Sequence, residues 1–266
     1  MPTSPKFTLV TPVFNGVSYL AETLASIRAQ RASNLEYIVC DAGSTDGSWE
    51  LVEANRDLVT HAIREPDKGM YDALMKGFSR ATGEILGWIN SDDLLMPWCL
   101  SCVGTYFNSV PNCQWLTGMP SLFNSAGQMV WVAQVAPRYR RGWIRRGWYS
   151  GRGMGPIQQE STFFRRSLFE QVGGLDRTLR LAGDFDLWRR FAAHAELHQV
   201  GTVLAGFRLH GRNLTTNIDS YYKEARAVRI PGGKLIGATY SYFSFLAQRW
   251  SKAPRLDDML MQHVPK

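Results

Sequence analysis

Residues 7–48 read FTLVTPVFNGVSYLAETLASIRAQRASNLEYIVCDAGSTDGS, and the alternation inside this stretch decides the fold. Phe7 to Val13 is an apolar run of strand length ending at Pro12-Val13-Phe14-Asn15. Tyr19 to Arg31 then places Leu20, Leu24 and Ile27 at helical spacing, and Glu36 to Cys40 is a second strand that ends at Asp41. The loop Ala42 to Gly47 leads into a helix from about Ser48 to Asn55, with Asp46 or Ser48 able to cap it. The rhythm continues outward. His61 to Arg64 is a third strand ending at Glu65-Pro66-Asp67, Lys68 to Ala81 a helix entered through Gly69, and Ile85 to Ile89 a fourth strand ending at Asn90-Ser91-Asp92-Asp93. Repeated strand and helix units of this length predict a Rossmann-like, mostly parallel sheet flanked by helices. Such sheets bind ligands beyond the carboxyl ends of their strands, and here each of four strands delivers a polar or acidic residue there.

From Leu94 to Gly153 the pattern is weaker, with Trp115 to Met119 and Gln128 to Gln134 as strand candidates. Ser161 to Leu168 restores order, and Gly183-Asp184-Phe185-Asp186-Leu187-Trp188 opens a helix to about Ala195. A further strand near Gly201 to Leu209 ends at His210-Gly211-Arg212-Asn213. The segment from Lys234 to Lys252 is apolar and aromatic. No internal repeat or low-complexity linker divides the chain, which reads as one compact domain with a C-terminal extension.

The 266 residues, 45% of them hydrophobic, suffice for a buried core. Thirty Lys and Arg against 23 Asp and Glu give a formal charge of +7, which favours phosphates, acidic glycans or an anionic membrane surface. Six of the arginines fall between Arg138 and Arg152, interleaved with Trp143 and Trp148. That composition suits phosphate contact or a membrane interface, and equally a solvated loop with snorkelling arginines. Four cysteines without a secretory leader predict free thiols in a reducing compartment, and the Cys99-x-x-Cys102 spacing lacks the second pair a zinc site needs. No run of 18 apolar residues is present.

Adjacent carboxylates at Asp92 and Asp93, after a buried strand, repel one another unless a hard divalent cation relieves them; Mg²⁺ or Mn²⁺ so held keeps positions open for a diphosphate. The plainer alternative is that Asp93 caps a helix starting at Leu95. Asp41 suits a nucleobase or ribose hydroxyl, and Asp67-Lys68-Gly69 forms a charged helix entrance where a phosphate meets N–H groups. The chain has no Walker loop and no G-x-G-x-x-G, which argues against the familiar ATP and dinucleotide cradles. His194 and His198 read as surface histidines on one helix. His210, after a strand and before a Gly-Arg-Asn turn, could reach a metal or diphosphate or be structural.

Taken in order, TPVFN, DAGSTDGS, EPDKGMYDAL, GWINSDD, IQQESTFFRRSLF, GDFDLWRR and RLHGRN resemble the family 2 glycosyltransferases of GT-A type, over about residues 7–215. The resemblance implies a GT-A domain over residues 1–215, with a donor half to about 95 and an acceptor half from 96, and a C-terminal helical extension over 216–266. It also implies a nucleotide-diphosphate-sugar donor, a divalent metal (Mn²⁺ or Mg²⁺) and inversion at the anomeric carbon. Residue by residue, Pro12, Asn15 and Asp41 would line the nucleoside pocket, Asp67 and Lys68 would lie near the base or phosphate, and Asp92 would contact ribose or sugar. Asp93 would be the metal ligand, Asp184 the general base, and Arg208 and His210 part of a segment closing over the diphosphate, with His210 at the metal. Two departures stand out: Gly183 precedes Asp184 where many relatives carry Glu, and Asn90 replaces an aspartate that often opens the metal motif. Asp186 is the alternative base.

These readings predict a cytoplasmic inverting glycosyltransferase of polysaccharide or glycolipid assembly, peripheral at an inner membrane face. Its acceptor would be a glycan or lipid-linked glycan, and no nucleic acid would be bound. The competing readings are an inactive nucleotide-sugar or glycan-binding protein and a nucleotidyltransferase.

Overall fold

The computed structural model describes residues 5–151, 154–213 and 217–229. Strand β1 (Phe7–Val13) is buried along its whole length and pairs in parallel with β2 (Leu35–Asp41) on one side and β4 (Ile85–Trp88) on the other. Strand β3 (His61–Arg64) pairs in parallel with β2. An unbroken apolar run is what a strand covered on both faces requires. The two-residue period then divides its side chains: Phe7, Leu9 and Val13 enter one core, Val10 the other. Helices α1 (Val17–Arg28) and α4 (Cys99–Ser109) cover the first face through Leu20, Leu24, Ile27, Leu100, Val103 and Phe107. The second face packs under α3 (Met70–Phe78), α6 (Arg166–Gln171) and α7 (Gly183–His194), where Trp88, Trp188 and Trp115 stack in succession at 5.6 Å between ring centroids. Helix α2 (Ser48–Glu53) adds Val52 to the first core.

The sheet reaches seven strands in the order β10-β6-β9-β4-β1-β2-β3. Strand β9 (Thr162–Arg165) runs antiparallel between β4 and β6 (Trp115–Thr117), and β10 (Leu197–Gln199) lies parallel to β6. The mostly parallel sheet expected from sequence is therefore present, and the chain beyond residue 96 supplies three of its strands. A second sheet of β5 (Leu94–Leu95), β11 (Ala205–Arg208), β7 (Ser121–Phe123) and β8 (Met129–Val132) stands at the carboxyl end of β4. Helices α5 (Arg141–Arg146) and α8 (Ile218–Val228) both pack on α7. Residues 230–266, with the aromatic stretch 234–252, lie outside the described residues.

Three local expectations change. The chain after Asp93 enters strand β5, so Asp93 caps no helix. Helix α7 stops at His194, and His198 sits in β10 with its Nδ1 3.0 Å from the Tyr106 hydroxyl, so the two histidines do not share a helix face. In the arginine-rich segment the indoles are turned inward: Trp143 and Trp148 are half-buried and face each other at 5.4 Å, and Arg141 donates to the carbonyls of Ala192 and Ala193 at the end of α7. Cys40, Cys99, Cys102 and Cys113 are free thiols. Among the described residues no helix is long and apolar enough to cross a membrane.

Candidate active site

A cavity of about 740 Å³ opens at the carboxyl ends of β1, β2 and β4, roofed by the second sheet, the start of α7 and α8. Its floor is built by two laced loops. Asn15, in the left-handed region at φ 51° that an asparagine tolerates, accepts the Thr45 N–H on its Oδ1, while its own N–H goes to Ser44 Oγ. The Gly16 N–H goes to Ser48 Oγ and the Val17 N–H to Asp46 Oδ2, so each loop satisfies the other's donors. Asp46 Oδ1 also takes the Ser48 N–H, but the N-cap of α2 is Gly47, so neither Asp46 nor Ser48 fills the cap position expected of it. Pro12, Asn15, Asp67 and Lys68 line the cavity beside the exposed ring of Phe14. Asp41 lies one residue behind the lining residue Ala42; its Oδ2 closes a turn on the N–H groups of Gly43 and Ser44, and its buried Oδ1 has no partner.

The two aspartates after β4 part company. Asp92 lines the cavity, its Oδ2 2.9 Å from His210 Nε2, and the imidazole is stacked on Tyr19 at 4.6 Å. Asp93 points the other way and is fully buried, with Oδ1 accepting the Arg208 N–H and Oδ2 the Asn90 amide. Burial, together with the charges of Asp92 and Glu160, holds the Asp93 carboxyl well above the usual range. Arg208 is buried too: its guanidinium donates to the carbonyls of Asp92 and Ser125 and to Glu22, and lies over the Tyr19 ring. These contacts correct two sequence expectations. Arg208 is committed to the interior and does not line the cavity, and Asp93, buried and turned from the cavity, gives way to Asp92 as the carboxylate a cation could meet.

Asp184 lines the same cavity from the first turn of α7. Burial pushes its carboxyl up to about 6, against the opposing pull of the Phe185 N–H and the Tyr71 hydroxyl. That hydroxyl donates to the Leu181 carbonyl at 3.0 Å and lies 3.3 Å from Asp184 Oδ1. A Cβ at Gly183 would come within 2.7 Å of the Tyr71 ring, so the glycine is what lets the tyrosine reach Asp184. Asp186 turns away and pairs with Arg189 and Arg190, its Oδ2 2.7 Å from Arg190 Nε. It is not in the cavity lining, and Asp184 is.

The pattern along the strands gave no sign of several other lining residues. Arg180 and Arg212 bring two guanidinium groups to the cavity, and Tyr221 and Tyr222 enter from α8. Glu224, one turn on, accepts the N–H groups of Arg180, Leu181 and Ala182, and so anchors the strap that leads into Asp184. Each comes from a loop or helix with no periodic link to the strand ends.

Among the described residues no three metal-ligating side chains converge. Asp92 and His210 are nevertheless a hard carboxylate and an imidazole facing one cavity, beside the unpaired buried oxygens of Asn90 and Glu160. A divalent cation with two protein ligands and phosphate oxygens completing its shell fits that donor set.

Together the mixed seven-stranded sheet and the cleft at its strand ends define a transferase fold of GT-A type. The glycosyl transferase family 2 profile matches residues 8–116, and those residues belong to that family. An uncharacterized glycosyltransferase of Mycobacterium tuberculosis (strain ATCC 25618 / H37Rv) is 26% identical over 264 residues, covering 94% of this chain and 97% of its own. One from Rickettsia typhi is 24% identical over 231 residues, 85% of this chain and 70% of the relative. Among solved structures, S. aureus TarS 1-349 in complex with UDP-GlcNAc is similar with a TM-score of 0.67 at 14% identity, over 98% of this chain and 82% of that one. The mannosyltransferase PcManGT from Pyrobaculum calidifontis, in complex with GDP-Man and Mn2+, gives 0.63 at 18%, over 98% and 79%. This chain spans 39% of a longer TarS chain. At these identities the likeness is one of fold.

Proposed function

We propose that the protein transfers a glycosyl unit from a nucleotide-diphosphate-sugar to an acceptor hydroxyl with inversion, Asp184 acting as general base. The observation that carries this reading is a single cavity lined both by a carboxylate raised to about 6 and by the Asp92–His210 pair. Catalytic bases work best when their pKa lies near the operating pH. Asp184 takes the proton of the acceptor hydroxyl as that oxygen attacks the anomeric carbon. The bond from that carbon to the diphosphate breaks, and its electron pair leaves with the nucleoside diphosphate. Lys68, Arg180 and Arg212 meet the charge that develops on the leaving group. Asp92 and His210 would hold a divalent metal, which when bound supplies further neutralisation of the diphosphate. Pro12, Phe14 and Asn15 take the nucleoside, with Asp41 Oδ1 available to a base N–H.

The donor class is supported by the fold neighbours, one bound to UDP-GlcNAc and one to GDP-Man with Mn2+. The acceptor is taken to be a glycan or lipid-linked glycan, and exposed Arg138, Arg140, Arg145 and Arg146 support contact with an anionic surface. Liposome flotation tests that contact. The central experiment is a thermal-shift panel of UDP, GDP, CDP and dTDP sugars with and without Mn²⁺, followed by product analysis. A metal-dependent shift and release of a nucleoside diphosphate are expected. Release of pyrophosphate would make the protein a nucleotidyltransferase, and tight binding without turnover would make it a binding protein.

A further inference from the structure

The segment Gln158-Gln159-Glu160 lines the cavity and has no part in the steps above. Its backbone is held on both sides. The Gln158 amide grips Ser121, accepting its N–H at 2.8 Å and donating to its carbonyl at 2.9 Å. Gln159 Nε2 donates to the Trp88 carbonyl at 2.6 Å, and the Thr162 hydroxyl returns to the Gln158 carbonyl at 2.7 Å as β9 begins. Between these anchors Glu160 is 3% exposed and its Oε1 has no partner. Two other buried polar atoms without partners, Trp88 Nε1 and Asn90 Oδ1, also belong to residues lining this cavity. Buried polar atoms without partners, in residues that wall a cavity, lower stability, because each such group is desolvated with no compensating bond. A ligand that supplies hydroxyl groups relieves that cost.

The position of Glu160 says which part of the ligand this is. Glu160, Trp88 and Asn90 line the same cavity as Asp92, the carboxylate on the diphosphate side, and Asp184, the proposed base. Burial, with the charges of Asp184 and Asp92, holds the Glu160 carboxyl above the usual range. In an inverting displacement the unit that occupies the span between leaving group and incoming nucleophile is the transferred sugar.

We infer that Glu160 is a specificity-determining residue, which with Trp88 and Asn90 forms a polar subsite for the ring hydroxyls of the donor's sugar. The inference rests on the glycosyl-transfer reading. A site that hydrogen-bonds a substrate hydroxyl rejects an analogue lacking it, because its own buried groups are left unpaired.

Donor turnover is measured with UDP-glucose, UDP-galactose, UDP-GlcNAc and GDP-mannose, following nucleoside diphosphate release, for the wild type, Glu160→Gln and Glu160→Ala. The preferred donor is then compared with its monodeoxy analogues. Glu160→Ala is expected to lower kcat/KM for the preferred donor by about 10- to 100-fold and to narrow the preference between donors of one nucleotide. Affinity for UDP or GDP alone should be unchanged, which shows that the nucleotide site is intact, and the isosteric Glu160→Gln should lie between. One deoxy analogue should cost the wild type the factor that Glu160→Ala costs, and cost the alanine variant nothing more. A loss equal on every donor, with each deoxy penalty undiminished in Glu160→Ala, overturns the subsite and leaves the transfer reading standing. A wild type that binds no nucleotide and turns over no donor overturns both.

Discussion

Segments 90–93 and 208–213 each contribute twice, once to the interior and once to the cavity, and the two contributions obey different rules. Asp93 and Arg208 face inward, fully buried, with each carboxylate oxygen and each guanidinium nitrogen bonded to protein. Asp92 and His210, one and two residues away, line the cavity and meet at 2.9 Å. Asp92 keeps about a quarter of its side-chain surface. An interior charge is tolerated only with all its partners in place, whereas a cavity charge is useful because its set is incomplete. A paired-aspartate motif is thus half scaffold and half chemistry.

Removing a member of the interior pair should give the largest effect. Arg208→Ala empties a fully buried side-chain volume and leaves the carbonyls of Asp92 and Ser125 without their donor, and should cost about 2–5 kcal/mol of stability, read as a fall of the unfolding midpoint in denaturant. Asp184→Asn tests the opposite case, a desolvated carboxylate whose loss leaves the fold intact: turnover should fall on the order of 10²- to 10⁴-fold with nucleotide affinity retained and no loss of thermal stability. Asp92→Asn should lower turnover by about 100-fold and weaken the Mn²⁺-dependent thermal shift, with the midpoint moved by no more than about 0.5 kcal/mol. If Asp92→Asn destabilised the protein as Arg208→Ala does, the division between interior and cavity would be lost.

Smaller effects sharpen the cavity side. Glu224→Ala releases three N–H groups of the strap before α7 and should reduce kcat about tenfold at unchanged donor KM, since a misplaced base costs orientation and not binding. The pH profile follows from Asp184, whose neighbours include Tyr71, Tyr221 and Glu160. Its carboxyl must be ionised to accept a proton. Turnover should therefore rise about tenfold per pH unit up to about 6 and flatten above, and Asp184→Asn should abolish that limb.

The donor side was legible because its information is local. The apolar run from Phe7 to Val13 named β1 and the shorter one from Glu36 to Cys40 named β2, and each strand end carried its polar residue with it. The division between Asp92 and Asp93 was not legible: it depends on a turn closed by the Asp93 N–H on the Asn90 carbonyl and on β5 pairing with β11, far along the chain. Helix α4 passed unread since it begins at Trp98 with no side-chain cap, although Leu100, Val103 and Phe107 keep helical spacing. Arg180, Glu160 and Tyr221 meet only in three dimensions, and no pattern within one segment could announce them.

The contact of Gly183 with Tyr71 ties two positions 112 residues apart into one inherited unit. A variant with glutamate at 183 would drive a side chain into the phenol ring, and one that lost the tyrosine would leave Asp184 without the hydroxyl beside it. Neither change is accessible alone. The lineage carrying this pair is confined to its own solution for holding the base, and sequence relatives should show glycine at the first position travelling with an aromatic hydroxyl at the second.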